Sequence, residues 1–229
     1  MTESLATEIE SCVSAGPFGE WLLQIRASLR GEGGTAVPCG DCVGCCVSSY
    51  FIPIRPKDTQ AFAVIPAQLL VTAPGQPNGH AMMGYLTDGS CPMLNSGKCS
   101  IYQHRPQTCR DYDCRIFAAA GIDAGGADKA VINRRVREWR FTYATEADKL
   151  AHDAVRSAAT FIQNKRASFP GGRAPTAPTG VAVLAIKVYP IFLNVDTYAR
   201  SDAEIANAII RASGEFDAAA SESAPDWIH

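Results

Sequence analysis

The spacing of the cysteines constrains this chain more than any other feature of its sequence. A first group of four occupies the eight residues CGDCVGCC, at Cys39, Cys42, Cys45 and Cys46. A second group of four follows, at Cys91, Cys99, Cys109 and Cys114. Tetrahedral metal ions and iron–sulfur cubes each take four thiolates, so these eight cysteines are predicted to be metal ligands. Cys12 stands apart and is predicted to be a free thiol on a short N-terminal helix.

The first group has two informative spacings. Its C-x2-C-x2-C run, which ends at Cys45, has the spacing that supplies three ligands to one [4Fe–4S] cube in ferredoxins. This run and the absence of histidine pairs favour an iron–sulfur cluster, but Zn²⁺ stays open. Neighbouring side chains usually point in different directions, so Cys45 and Cys46 are not expected to chelate one small ion together. The pair therefore predicts a second centre, or one polynuclear centre large enough to take both sulfurs.

Charged residues surround the second group of cysteines. Three arginines lie close to its thiols in sequence: Arg105, Arg110 and Arg115. Positive charge favours an ionised thiol, but these arginines have an alternative role as partners of Asp111, Asp113 or solvent. The two carboxylates are expected to support the centre or cap helices rather than to act as acids or bases. His104 is expected to be exposed or hydrogen-bonded, since eight cysteines already complete two sets of four ligands.

Charge and hydropathy exclude several classes of function. The net charge is −2, and the basic residues are scattered apart from a short run around residues 133–140, so we predict no nucleic-acid partner. The N-terminal segment MTESLATEIESC is acidic and lacks an apolar core, and the longest apolar run, residues 181–193, is too short to span a bilayer. We therefore expect a cytoplasmic protein without a membrane partner, in which nine cysteines are poor candidates for stable disulfides.

The hydrophobic pattern predicts helices at both ends of the chain. Residues 18–30 carry an apolar stripe and precede a glycine, which predicts an amphipathic helix. Residues 129–169 are predicted to be helical with a break near 142–145, residues 170–180 to be a linker, and residues 181–189 to be either helix or strand. Ser201 and Glu204 form a capping box that predicts a helix through about residue 212.

Short elements are predicted around the cysteines. Residues 50–54 and 83–87 have the composition of strands, and residues 95–98 that of a turn. The predicted fold class is α+β and mostly helical, with a small irregular cysteine-rich metal-binding core flanked by N- and C-terminal helices. The predicted domains are an N-terminal helix within residues 1–34, a metal-binding domain at 35–120 and a helical region at 121–229.

The pattern CxxCxxCC followed by CPxLxxxxCxIYxxRPxxCRxYxC covers residues 39–114. It resembles the YkgJ-type cysteine-cluster family, also called the zinc- or iron-chelating domain. The resemblance includes all eight grouped cysteines together with Ile101, Tyr102, Arg105, Pro106, Arg110 and Tyr112. It implies a metal-binding domain and leaves iron–sulfur and zinc both open, and it does not extend to the C-terminal half.

Two further functions stay open beside simple metal binding. Flagellin lysine methylases look similar in their cysteine cluster and use S-adenosylmethionine, so the resemblance allows an iron–sulfur-dependent enzyme of methyl transfer or redox chemistry. This chain has no C-x3-C-x2-C triad of the radical type, so whether it is an enzyme, and which residues would be catalytic, stays undecided. The other alternative is a metal carrier or sensor that hands its ion to an unknown protein partner.

Overall fold

The computed structural model describes residues 12–35 and 37–222. Of the N-terminal segment MTESLATEIESC, which was predicted to be neither an export signal nor a membrane segment, Cys12 alone lies within these ranges. The helices are α1 Phe18–Leu29, α2 Thr59–Val64, α3 Gln107–Asp111, α4 Arg115–Ala120, α5 Ala130–Glu138, α6 Glu146–Asn164, α7 Pro178–Val188, α8 Pro190–Leu193 and α9 Asp202–Glu222. The strands are β1 Val13–Pro17, β2 Ile52–Ile54, β3 Leu70–Thr72, β4 Ala81–Met83, β5 Leu94–Asn95, β6 Lys98–Cys99 and β7 Trp139–Thr142. Helices with short strands in small sheets confirm the predicted α+β class.

The first helix forms where its apolar stripe predicts it. Its buried residues are Phe18, Trp21, Leu22 and Ile25, and Gly31 follows with a positive φ of 83°. Strand β1, which precedes the helix, pairs in parallel with β7. Cys12 is an exposed residue outside any helix, so the predicted helical environment for this thiol is wrong.

The predicted long helix from 129 to 169 is divided into α5, β7 and α6. The predicted break near 142–145 is confirmed, but Trp139–Thr142 forms a strand because its backbone pairs with β1. A capping box begins α6, in which Thr145 Oγ1 accepts from the Asp148 N–H at 3.2 Å and Asp148 Oδ2 accepts from the Thr145 N–H at 3.0 Å. The helix ends at Asn164, before Phe169.

The ambiguous segment 181–189 belongs to helix α7, which is buried over most of its surface. Val181, Ala182, Ala185 and Ile186 have no solvent exposure. This helix packs against α4 and α6, and one apolar cluster joins residues of α1, α4, α5, α6, α7 and α9. The predicted capping box of α9 is confirmed, because Ser201 Oγ accepts from the Glu204 N–H at 3.4 Å and Glu204 Oε2 accepts from the Ser201 N–H at 2.9 Å.

The cysteine-rich segment has its own small apolar cluster. Strands β2, β4 and β3 form an antiparallel sheet in that order, and β5 and β6 form a hairpin around the predicted turn. The strand predicted at 83–87 lies at Ala81–Met83 instead, because the pairing partners of β2 and β3 fix its register. None of the helices in the described ranges is long and apolar enough to cross a membrane. The predicted domain boundaries stay predictions.

Candidate metal centre

All eight grouped cysteines line one cavity of about 540 Å³. The chain brings them there from separate local structures, which are the loop before residue 44, a 3₁₀ turn at Gly44–Val47, the β5–β6 region, helix α3 and the residue before α4. Seven of the eight are partly buried, and Cys45 is exposed. Cys12 is not part of the cavity wall. The structure therefore brings the predicted ligand set together, while the role of each sulfur as a ligand stays a prediction.

Backbone contacts join the two cysteine groups. The Cys91 N–H donates to the Cys46 carbonyl at 2.6 Å, so the second group is attached directly to the first. The Gly44 N–H donates to Cys42 Sγ at 3.4 Å. Gly44 also lies close to α5, since an added Cβ would lie 3.3 Å from Cγ1 of Ile132. The turn and the helix are therefore in close contact at this position.

The adjacent pair Cys45 and Cys46 lies in the 3₁₀ turn Gly44–Val47. The Sγ atoms of Cys45 and Cys46 lie 4.0 Å apart, so the two side chains do not point in different directions. In a 3₁₀ turn such as this one, successive side chains are separated by about 120° around the axis. In a strand they would point to opposite faces. The local backbone therefore allows both sulfurs to face the same cavity.

The cavity environment favours the neutral form of several thiols. Burial raises the pKa of Cys39 to about 11 and those of Cys109 and Cys114 to about 12. The contact with Cys46 raises the pKa of Cys45 as well. A metal cation would reverse this preference because it binds the thiolate, so metal binding here would release protons.

Electrostatic coupling between the thiols indicates which of them are neighbours. At one end of the cavity, Cys39 and Cys42 both raise the pKa of Cys114. At the other end, Cys91 and Cys99 both raise the pKa of Cys109. Cys45 lies between the two ends, because it raises the pKa values of Cys39, Cys91 and Cys109. We call these the Cys114 end (Cys39, Cys42, Cys114) and the Cys109 end (Cys91, Cys99, Cys109).

The sulfurs are spread around the cavity wall. Among the described residues, no three or more His, Cys, Asp or Glu side chains form a group already arranged to hold one metal ion.

Of the three arginines that lie near the second cysteine group in sequence, Arg105 lines the cavity. Its positive charge acts on Cys39 and Cys109 and opposes the rise in their pKa values. Arg110 donates instead to the backbone carbonyls of Arg105 and Gln103. Arg115 forms an ion pair with Asp113 at 2.8 Å, as the alternative assignment for the arginines allowed. One arginine of the three thus faces the thiols.

Two residues of the C-terminal half contact thiols and have no signal in the cysteine motif. The indole N–H of Trp139 donates to Cys114 Sγ at 3.3 Å. Arg135 lines the cavity. Burial is the largest influence on its pKa and lowers it, but Cys42, Glu138 and Cys114 together outweigh burial and raise the pKa above its usual value. Trp139 lies 25 residues after Cys114, so the spacing of the cysteines gives no signal for this contact.

The two aspartates near the second group have structural contacts. Asp113 accepts hydrogen bonds from the Trp21 indole at 3.0 Å and from the Arg115 guanidinium, which attaches α1 to the residue before Cys114. Asp111 accepts from Gln107 at 2.7 Å and lies 3.5 Å from Arg55. His104 is exposed and its Nδ1 lies 3.2 Å from Gln60 Oε1, as expected. These groups position the cysteine segment.

The chain was compared with known proteins. No curated protein and no solved structure matches it. Residues 38–136, a little under half of the chain, match the model of the CxxCxxCC family, whose description is "Putative zinc- or iron-chelating domain". The matched segment contains all eight cysteines of the cavity and Arg135, and it ends before Trp139. The resemblance predicted from the cysteine pattern is thus confirmed for residues 38–136, which contain the eight cysteines of the cavity.

Proposed function

We propose that this protein holds an iron–sulfur cluster or zinc through the thiolates of its eight cavity cysteines. The observation that carries the proposal is the convergence of all eight cysteines, from both sequence groups, on the wall of one cavity. All nine cysteines of the chain are free thiols, and no disulfide competes for the eight sulfurs. A cytoplasmic location, where thiols stay reduced, is part of the proposal.

The donor set fits such a centre in chemistry and in number. Thiolate is the ligand that iron–sulfur clusters and structural zinc sites share. The Cys114 end and the Cys109 end each contribute three sulfurs, and the adjacent pair lies beside both. Two sets of four result if Cys45 joins one end and Cys46 the other. A single polynuclear centre that takes both sulfurs of the pair is the alternative arrangement.

Iron–sulfur is the version that we favour, with [4Fe–4S] as the cluster type. The C-x2-C-x2-C spacing supports it, and the eight donors that line the cavity are all sulfur, without a histidine. Bound there, an iron–sulfur cluster would supply one-electron redox chemistry, whereas zinc would supply structural cross-linking. The residues of this chain would hold the group, and the positive charge of Arg105 would offset part of its thiolate charge.

Anaerobic purification followed by metal analysis, acid-labile sulfide determination and an absorption spectrum tests the proposal. A brown protein with iron and sulfide in equal amounts supports the iron–sulfur version. A colourless protein with stoichiometric zinc and no sulfide refutes that version and supports the zinc version. If the protein holds neither metal after anaerobic reconstitution with iron and sulfide or with zinc, the whole proposal is wrong.

The volume and the apolar wall of the cavity support a second candidate function, an iron–sulfur-dependent enzyme of methyl transfer or redox chemistry. A volume of about 540 Å³ lies in the range of sites that bind small organic molecules, which is about 300–1,000 Å³. Part of the wall is apolar and comes from the sheet region, at Phe51, Ile52, Met83, Met93 and Ile101. Calorimetric titration with S-adenosylmethionine and voltammetry of the metal-loaded protein test this candidate. A protein that neither binds the cofactor nor shows a reversible couple is not such an enzyme.

A further inference from the structure

The junction between α5 and β7 contributes two donors to the Cys114 end of the cavity. Trp139, the first residue of β7, is only 4% exposed, and its indole N–H lies 3.3 Å from Cys114 Sγ. An indole N–H can only donate, so the sulfur is the acceptor in this contact. The contact is partly buried, which limits competition from water for the N–H.

A donor of this kind distinguishes between the states of the sulfur. A neutral thiol is a weak acceptor, whereas a thiolate carries a negative charge and accepts a much stronger hydrogen bond. The Trp139 contact therefore stabilises Cys114 in the form that binds metal. Packing alone does not require the indole nitrogen to face the sulfur, because the same ring could fill the space in another orientation.

Arg135 lies on the same side of the Cys114 end. Its guanidinium borders the cavity beside Cys42, and its central carbon lies 5.7 Å from the Trp139 ring centroid. Glu138 holds it at 3.2 Å, which fixes the side chain across one turn of α5. One positive charge and one N–H donor thus lie beside two thiols that come from different cysteine groups.

We propose that Trp139 and Arg135 are positioning residues that stabilise the thiolates of Cys114 and Cys42 in the metal-bound protein, slow the loss of metal and set the electron density on these two sulfurs. This inference rests on the proposed function, since it requires that Cys42 and Cys114 bind the metal. Residues of the C-terminal half would then influence the centre by contacting the cysteine ligands, without binding the metal themselves.

The test compares Trp139→Phe, which removes a donor to a sulfur, with Trp21→Phe, which removes a donor to the Asp113 carboxylate, in the full-length, metal-loaded protein. Trp21 is a matched control because it is also a buried tryptophan whose N–H is hydrogen-bonded, but its acceptor is Asp113 Oδ2. Outer contacts to metal ligands typically change metal affinity 10- to 100-fold. We expect Trp139→Phe to bind the same amount of metal as wild type and to lose it about 10-fold faster to a chromophoric chelator. Trp21→Phe should lose it more slowly than Trp139→Phe and should leave the sulfur-to-metal absorption band unchanged, because its N–H contacts no sulfur.

Two further readouts separate this role from a general loss of stability. Removing a donor from a thiolate leaves more electron density on the sulfur, so the sulfur-to-metal absorption band should move to longer wavelength and the midpoint potential of an iron–sulfur centre should fall. If the native metal is zinc, the band is recorded on Co²⁺-loaded protein. Arg135→Gln, at a partly exposed position, should change both readouts in the same direction and tests the inference if Trp139→Phe does not fold.

The outcomes distinguish this inference from the proposed function. If wild type binds metal and Trp139→Phe matches it in release rate and band position, the inference is wrong and the proposed function stands. If Trp21→Phe changes the release rate and the band as much as Trp139→Phe does, the effect is general destabilisation and the inference is again wrong. If wild type binds no metal, the proposed function fails and the inference fails with it.

Discussion

The substitution Asp113→Asn tests how firmly the helical part of the chain is attached to the cysteine segment. The Asp113 side chain is completely buried and Arg115 is 6% exposed, with 2.8 Å between Oδ2 and Nη2. The same carboxylate accepts from the Trp21 indole at 3.0 Å and from the Arg115 backbone N–H at 2.9 Å. It therefore joins α1 to the start of α4, directly beside Cys114.

The expected magnitude follows from the burial of the pair. Asparagine has nearly the same shape but no charge, so the Arg115 guanidinium would stay buried opposite a neutral amide. Breaking a buried ion pair from one side costs about 3–5 kcal/mol, because the remaining charge is uncompensated. Since a typical domain has about 5–15 kcal/mol of stability in total, this loss is large. For a chain of this length it corresponds to a melting temperature roughly 10 °C lower.

Chemical denaturation followed by circular dichroism measures the effect on the free energy of unfolding, with wild type and variant at equal metal content. Asp111→Asn is the matched control, because Asp111 pairs with Arg55 at 3.5 Å and the two side chains are 28% and 42% exposed. Exposed pairs contribute about 1 kcal/mol or less, so this variant should be close to wild type.

A double substitution separates the cost of the lone charge from the value of the pair. Replacing a whole buried ion pair by apolar residues is often close to neutral, so Asp113→Leu with Arg115→Met should recover part of the stability lost in Asp113→Asn. The reasoning is refuted if Asp113→Asn unfolds within about 1 kcal/mol of wild type, or if Asp111→Asn is equally destabilised.

Two further predictions concern the thiols and a buried histidine. Cys45→Ser and Cys46→Ser should each lower the metal content measured by elemental analysis, whereas Cys12→Ser should not, and equal metal in all three would contradict the ligand assignment. Burial, followed by the charge of Arg156, lowers the pKa of His152 to about 4. Unfolding restores a pKa near 6.5, so the unfolded chain binds the proton first and stability falls by up to about 3 kcal/mol as the pH drops from about 6.5 to 4. His152→Phe should lack this part of the acid-induced loss in denaturation experiments, and an unchanged pH profile would count against it.

Local patterns predicted the helical parts of the fold well. The apolar stripe of α1 and the Ser201–Glu204 capping box depend on residues within one or two turns of each other, so the sequence alone contains the signal. The β1–β7 pair lacks such a signal. Trp139–Thr142 becomes a strand because Val13–Pro17, more than a hundred residues away, pairs with it in parallel. Long-range pairing of this kind overrides the helical pattern of the preceding residues.

The cysteine motif predicted which thiols share the cavity but not how the adjacent pair is arranged. The eight cysteines converge as their grouping suggested. The pair was expected either to divide between two centres or to bind one polynuclear centre, and in the 3₁₀ turn its sulfurs lie 4.0 Å apart. The spacing of the cysteines gives the order of potential ligands along the chain. The direction of each side chain depends on the backbone dihedrals, which this spacing does not specify.

The contacts beyond the motif suggest why the helical half and the cysteine segment occur in one chain. Helix α5 lies against the Gly44 turn, where an added Cβ would lie 3.3 Å from Cγ1 of Ile132. Lys129 donates to the Ser48 carbonyl, and its ammonium nitrogen lies 4.2 Å from the centroid of the Tyr50 ring. Trp139 lies beside Cys114. The turn that carries Cys45 and Cys46 and the last cysteine of the motif are therefore both in contact with residues 129–139. The cysteine segment has a small apolar cluster of its own, and α5 and β7 add a wall that positions the Gly44 turn and Cys114.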